Sequence, residues 1–477
     1  MPKQYEVIFK GARLVDPVNG VDGIFDLAAA GGQVAEVAAE INPDLADQCV
    51  PADGLCLMPG IIDTHIHASN WLGGPRAHAM MARAGVCTAL DMSGPTSGVL
   101  DYAARYGRGL NLAVIEYVRP GHTVANDNPG RDELESLLDK SLKAGAIGLK
   151  ILGGHYPLSP ESTREAIEIT HLRGAYLAFH AGTTATASDL TGLREVFQLL
   201  EGQPIHLAHI NSYCRGRVRP YMEEAEEAVS LLNAAPHIFS ESYLSAFNGT
   251  SGLIVDGRPE SRVTANCLAA KGYLITADGL KAAILDGWAQ VNQETDEEVV
   301  LAQGPAAVDY WLAKETDVTL SFAVNPPEPR IRLAAAKNDQ GAFTVKALST
   351  DGGGIPRNVT VEAGLALVRL KALTLQEFVL KASTAPAWAL GQSAVRGHLG
   401  PGARADLTGL DLSTGRAALT AVGGRVIMRD GRLTGTGTTV ITTAEGLKTV
   451  AGAGLSAQVV KLEDRPFYNR ERLPQAK

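Results

Sequence analysis

The feature that most constrains how this chain can fold is a series of short apolar runs along its middle, separated by stretches with helical periodicity. The runs lie in LMPGIIDTHIHASN (57–70), GVCTALDMSG (85–94), LNLAVIEYV (110–118), GAIGLKILGG (145–154), AYLAFHAG (175–182), PIHLAHINSY (204–213), HIFSESYL (237–244) and VKALSTDGG (345–353). Near-continuous apolar runs of this length suit strands buried on both faces, and helical segments such as DELESLLDKSLKAG and EEAEEAVSLLNA supply the crossovers that parallel strands need. Eight such units predict an α/β chain, a (β/α)8 TIM barrel over residues 56–394.

The flanks read differently. Residues 5–55 alternate β-rich runs with Gly and Asp turn signals, and the texture returns at GARADLTGLDL and ALTAVGGRVIMRDGRLTG, where Gly-Gly and Asp-Gly mark hairpins. Residues 1–55 and 395–437 are therefore expected to build one composite β-sandwich domain from both sides of the barrel. Residues 438–477 are expected to be a partly helical, then polar tail without chemistry. The stretch 245–344 is too long for a simple crossover and reads as turn-rich loop, helices and a rigid Pro-rich segment that would shape a pocket.

A length of 477 residues, with 45% hydrophobic and 20% charged residues, allows a large buried core. The formal charge of −9 speaks against a nucleic-acid or anionic-membrane partner. The five cysteines, Cys49, Cys56, Cys87, Cys214 and Cys267, are scattered and fit a reducing compartment. With neither a signal-like apolar core nor a run long enough to span a bilayer, a cytoplasmic location is expected.

Polar residues collect near the C-terminal ends of the predicted strands: His65 and His67, then Lys150, His180, His209 and Asp351. In a strand, residues two apart share a face, so His65 and His67 point the same way and make half of a metal site. Strand six offers both His206 and His209, and the barrel rule favours His209, nearer the strand's C-terminal end. His206 is then a packing or supporting histidine. Asp63 is expected to orient its neighbours rather than ligate.

On these residues the chain resembles the metal-dependent amidohydrolases. MPGIIDTHIH is similar to that family's opening strand, GAIGLK to its lysine strand and LSTDGG to its terminal aspartate. The likeness is to the binuclear branch with dihydroorotase, hydantoinase, urease and N-acyl-D-amino-acid deacylase. It implies two divalent metals, zinc foremost, with manganese, cobalt or nickel as alternatives. His65, His67 and Asp351 would hold one metal and His180 and His209 the other. Lys150, carboxylated by carbon dioxide, would bridge both, since a carbamate can ligate where an ammonium cannot. A metal-bridging hydroxide would attack an amide carbon, with Asp351 moving the proton. His155 stands where hydantoinases carry a tyrosine that supports the carbonyl oxygen. A homo-oligomer, dimer or tetramer, is implied by the resemblance alone.

Asn70, Asn211, Tyr213, Arg215 and Arg357 are the candidate substrate-binding residues. The glycines 352–354 would let backbone approach a ligand. The expected activity is hydrolysis of a non-peptide C–N bond in a small molecule: a cyclic amide, imide or ureide, or an N-acyl amino acid. The alternatives are a deaminase of a purine- or pterin-like heterocycle, and a non-catalytic scaffold on a hydantoinase-like fold. The filled set of ligand positions disfavours the scaffold.

Overall fold

A computed structural model describes residues 3–461. The expected opening strand is in fact two. Cys56–Pro59 pairs with Tyr5–Asp16 and Leu407–Asp411, whereas Ile61–His67 joins the parallel strands of the central region. Pro59 has no N–H to continue a ladder, and the Gly60 N–H turns aside to the Asp406 carbonyl. The β-rich sheet therefore takes four residues assigned to the barrel from the sequence.

That sheet has nine strands, drawn from both flanks. It is hydrogen-bonded as one continuous sheet, because Cys56–Pro59 joins the N-terminal strands to those between Leu407 and Leu433. Phe9, Leu14, Leu27, Leu57, Leu407 and Leu419 from both halves form one apolar core.

The central strands run parallel. Val86–Asp91 lies between Ile61–His67 and Arg108–Val114. Glu116–Val118 pairs with Gly148–Leu152, followed in turn by Tyr176–His180, His206–Leu207, Phe239–Tyr243 and Ala347–Ser349. Gly352–Gly353 then pairs back onto Ile61–His67. Two of the expected strands are broken, one at Ile115 and one at Thr350 and Asp351. Gly353, at φ +71°, and Gly354 lie so close to the backbone of His67 and Gly73 that a Cβ on either would collide with it. Their freedom serves this strand-to-strand contact, where a ligand contact was expected.

The helices between strands bury one face each. In Arg131–Ala144, Leu134, Leu137, Leu138, Ser141 and Leu142 are buried at helical spacing, and the leucines enter the core formed by the strands. Burial of each such leucine contributes on the order of 1.5–3 kcal/mol.

Two segments depart from expectation. Residues 245–344 carry a four-stranded antiparallel sheet, Asn248–Ser251, Thr319–Phe322, Ala289–Glu294 and Val299–Ala302, with their own core around Leu280, Ile284, Trp311 and Phe322. This is a packed subdomain rather than a loop. The supposed tail likewise returns to the centre. Gly437–Thr442 pairs in parallel with Arg108–Val114, and Ser456–Val459 pairs with Gly437–Thr442. The rest of that tail, 462–477, lies outside the described residues. No helix among the described residues is long and apolar enough to cross a membrane.

Candidate metal centre

The candidate ligands lie at or just beyond the C-terminal ends of the central strands, except Lys150, which is mid-strand in Gly148–Leu152. His65 and His67 alternate with Ile66 near the end of Ile61–His67, so both imidazoles face one way. Asp351 interrupts the last strand and has φ +51°, a left-handed backbone that turns its carboxylate toward them. Asp351 Oδ1 lies 2.8 Å from His67 Nε2 and 3.3 Å from His65 Nε2. One ligand atom from each of the three residues falls within 4.8 Å of the others, and all three are buried. Donors grouped this closely are near enough to converge on one ion.

The electrostatics suit such an ion. Burial holds His65 down to about 4, so its imidazole is neutral with a lone pair to give. Burial pushes His209 well below the usual range in the same way. His67 Nδ1 and His209 Nδ1 are buried without a described partner. Asp351 stays ionised: burial opposes the charge, but Arg357 and the nearby histidines outweigh it and bring its pKa well below the carboxylate norm.

His209 follows the two-residue strand His206–Leu207 and sits at φ +34°. Its ring stacks on His65 at 5.1 Å and meets His180 edge-on at 4.3 Å. His180 pairs through Nε2 with Ser188 Oγ at 2.7 Å, which leaves Nδ1 as the nitrogen free to ligate. His206 turns away, with Nδ1 2.8 Å from the Tyr176 hydroxyl. Lys150 is 1% exposed, and its Nζ lies 3.1 Å from Met92 Sδ, a weak acceptor. Burial lowers its pKa to about 8 against the pull of Glu241 and Asp351.

A residue the sequence reading passed over organises this cluster. Glu241, fully buried in Phe239–Tyr243, accepts from His65 Nδ1 at 2.8 Å and from the His209 backbone N–H at 2.7 Å, and also from Ser349 Oγ. Its signal was present, an acid in the middle of the apolar run HIFSESYL. Asp63 ties first strand to last, accepting from the His65 N–H at 3.1 Å and the Thr350 hydroxyl at 2.5 Å.

The proposed substrate contacts fare unevenly. Arg357 is no free carboxylate receptor: Nη2 is 2.7 Å from Asp351 Oδ2, and the guanidinium lies over the Tyr243 ring. Tyr213 is buried with its hydroxyl accepting from the Ala181 N–H at 2.8 Å. Asn211 Oδ1 accepts from Ser242 and the Tyr243 N–H. Both therefore brace the loop after His209. Asn70 is exposed, with its amide beside Gly98, and no described contact joins it to the histidines. Arg215 is half-buried among neutral acceptors, Asn325 at 2.8 Å, the Tyr243 hydroxyl at 2.9 Å and Asn248 at 3.2 Å. His155 stands at the solvent edge, its ring 5.5 Å from His180.

A parallel α/β core with a two-histidine, one-aspartate cluster at its strand ends is suited to binding a divalent metal ion. The chain belongs to the amidohydrolase family, whose model matches residues 56–434. It is 24% identical over 439 residues to a dihydroorotase of Geotalea daltonii, covering 85% of this chain and 89% of that protein. A shorter match, 24% over 265 residues, covers 49% of this chain and 61% of a dihydroorotase of Trichlorobacter lovleyi. Its fold is similar to that of an N-acyl-D-glutamate deacylase from Bordetella bronchiseptica, solved with zinc and a phosphonate inhibitor, with a TM-score of 0.64 at 15% identity over 92% of this chain and 99% of that one. The family and these homologues make the chain a hydrolase of carbon–nitrogen bonds other than peptide bonds.

Proposed function

We propose that this protein hydrolyses a small cyclic amide, imide or ureide, or an N-acyl amino acid, with two divalent metals at the ends of a (β/α)8 barrel. The carrying observation is the convergence of His65 Nε2, His67 Nε2 and Asp351 Oδ1, with His180 and His209 ring to ring beside them. The first three residues would hold one metal and the other two histidines the second, with zinc the leading candidate. Bound metal supplies an acidified water and a Lewis acid for the carbonyl.

The chain's own groups do the rest. Asp351, fixed by Arg357 on one oxygen and the histidines on the other, receives a proton and passes it to the leaving nitrogen. His155, at the solvent edge beside His180, donates to the substrate carbonyl oxygen. Lys150, with its pKa lowered to about 8 by burial, has a neutral fraction near neutral pH that would add carbon dioxide with release of one proton, and the carbamate would offer anionic oxygens to hold divalent metal. The family resemblance carries with it an assembly of two or four copies.

The test is metal content per chain, with amide hydrolysis measured before and after chelation on matched cyclic and N-acyl substrates. Two metals and a chelator-sensitive activity are expected. One metal with release of ammonia from an aromatic heterocycle would replace this reading with the deaminase.

A further inference from the structure

Arg119 follows the strand Glu116–Val118, at the same end of the parallel strands as His65, His67 and Lys150. Its guanidinium carbon is 4.4 Å from the Tyr156 ring centroid, 5.3 Å from Trp71 and 5.9 Å from Tyr117. Two of these rings are held by hydrogen bonds of their own. The Trp71 indole N–H donates to the Ser93 carbonyl at 3.0 Å, and the Tyr117 hydroxyl meets His122 Nδ1 at 3.0 Å. Tyr156 directly follows His155, whose ring is 5.5 Å from that of His180, so this aromatic box stands at the end of the strands that carries the histidine cluster.

Arg119 is half-buried, yet no described carboxylate lies within ion-pair distance of it, in a protein of net charge −9. Arg194, Arg357 and Arg396 each hold an acid, whereas Arg119 shares its lack of one with other half-buried arginines such as Arg215 and Arg330, and differs from those two in being ringed by aromatic side chains rather than by oxygen acceptors. Three rings around a guanidinium attract its charge, Tyr117 meeting it through its hydroxyl as well, and the N–H groups that remain can take an acceptor. The backbone beneath is set for the purpose, with the Arg119 N–H donating to Thr123 Oγ1 at 2.7 Å.

We infer that Arg119, held in the box of Trp71, Tyr117 and Tyr156, is the specificity-determining residue that binds a carboxylate of the substrate. This rests on the amide-hydrolase reading and narrows it to amides that carry a carboxylate beyond the scissile bond. Arg215, among neutral acceptors in the segment after His209, is the rival anchor.

The experiment is calorimetric binding to the metal-loaded protein, with turnover measured alongside. The probes are N-acetyl amino acids of both hands and hydantoin-5-acetic acid, each beside its neutral carboxamide. Wild type should bind at least one acid about tenfold or more tightly than its amide, the scale of a charge-assisted forked pair. Arg119→Met should erase that preference and Arg119→Lys keep part of it. A preference retained in Arg119→Met, or absent from wild type, overturns the assignment; loss only in Arg215→Met transfers it to Arg215. Arg119-dependent binding with no hydrolysis of any probe would count against the hydrolase reading alone, and hydrolysis indifferent to Arg119 would count against this inference alone.

Discussion

Glu241 Oε1 lies 2.8 Å from His65 Nδ1, and the same oxygen accepts the backbone N–H of His209 at 2.7 Å. One buried carboxylate oxygen thus holds a candidate ligand of each metal. Accepting from Nδ1 keeps the proton there and leaves Nε2 bare, facing Asp351. Glu241→Gln is expected to weaken metal binding about 10–100-fold while leaving the fold intact, read by metal titration beside circular dichroism. Unchanged affinity would reduce Glu241 to a packing residue.

Lys150→Ala should abolish hydrolysis, and short carboxylic acids should restore part of it by entering the space of the lost carbamate. Carbon-13 spectra of wild type under labelled carbon dioxide should show one slow carbamate signal. Full activity in Lys150→Ala would remove the bridge from the mechanism.

Arg357 neutralises Asp351 where both are buried, 2.7 Å apart. Removing one member of such a pair strands the other charge, so Arg357→Met in metal-free protein should cost about 3 kcal/mol in urea unfolding. Adding Asp351→Asn should recover much of that loss. A double variant as unstable as the single one would show that Arg357 acts through its packing on Tyr243.

Lys381 is fully buried, and burial lowers its pKa to about 7, while Lys346, near Ile238, is lowered to about 8. Between about 7 and the ordinary value near 10.5 the unfolded chain holds the Lys381 proton and the folded chain does not, so stability rises with pH across that window. Wild type should gain on the order of 2–4 kcal/mol from pH 7 to pH 10, and Lys381→Met should show a distinctly shallower rise. Parallel profiles from denaturant titrations at several pH values would refute the assignment.

The candidate ligand residues stood out because ligation needs particular side chains at strand ends, and an imidazole or amine inside an apolar run is conspicuous. His65, His67, Lys150, His180, His209 and Asp351 all surface in the sequence that way. What supports them was harder to see. Glu241 sits 176 residues from His65, and Arg357 is separated from the Tyr243 ring by the whole 245–344 subdomain, so only the fold reveals the pairing. The broken strands escaped because a run such as LNLAVIEYV has no breaker at Ile115, and the change of partner there depends on which strands come alongside. The return of residues 437–459 to the centre escaped for the same reason: a short parallel strand is specified by its neighbour more than by its own residues.

The passage of Gly437–Thr442 alongside Arg108–Val114 has a mechanical meaning. The β-rich sheet is bracketed in sequence by strands of the central layer, Ile61–His67 after its N-terminal part and Gly437–Thr442 after its C-terminal part. It cannot be peeled away as a bead on a string. Heat or denaturant is expected to loosen both layers together, and a protease that nicks the linker after Leu433 severs a tie of the layer that carries the candidate metal ligands.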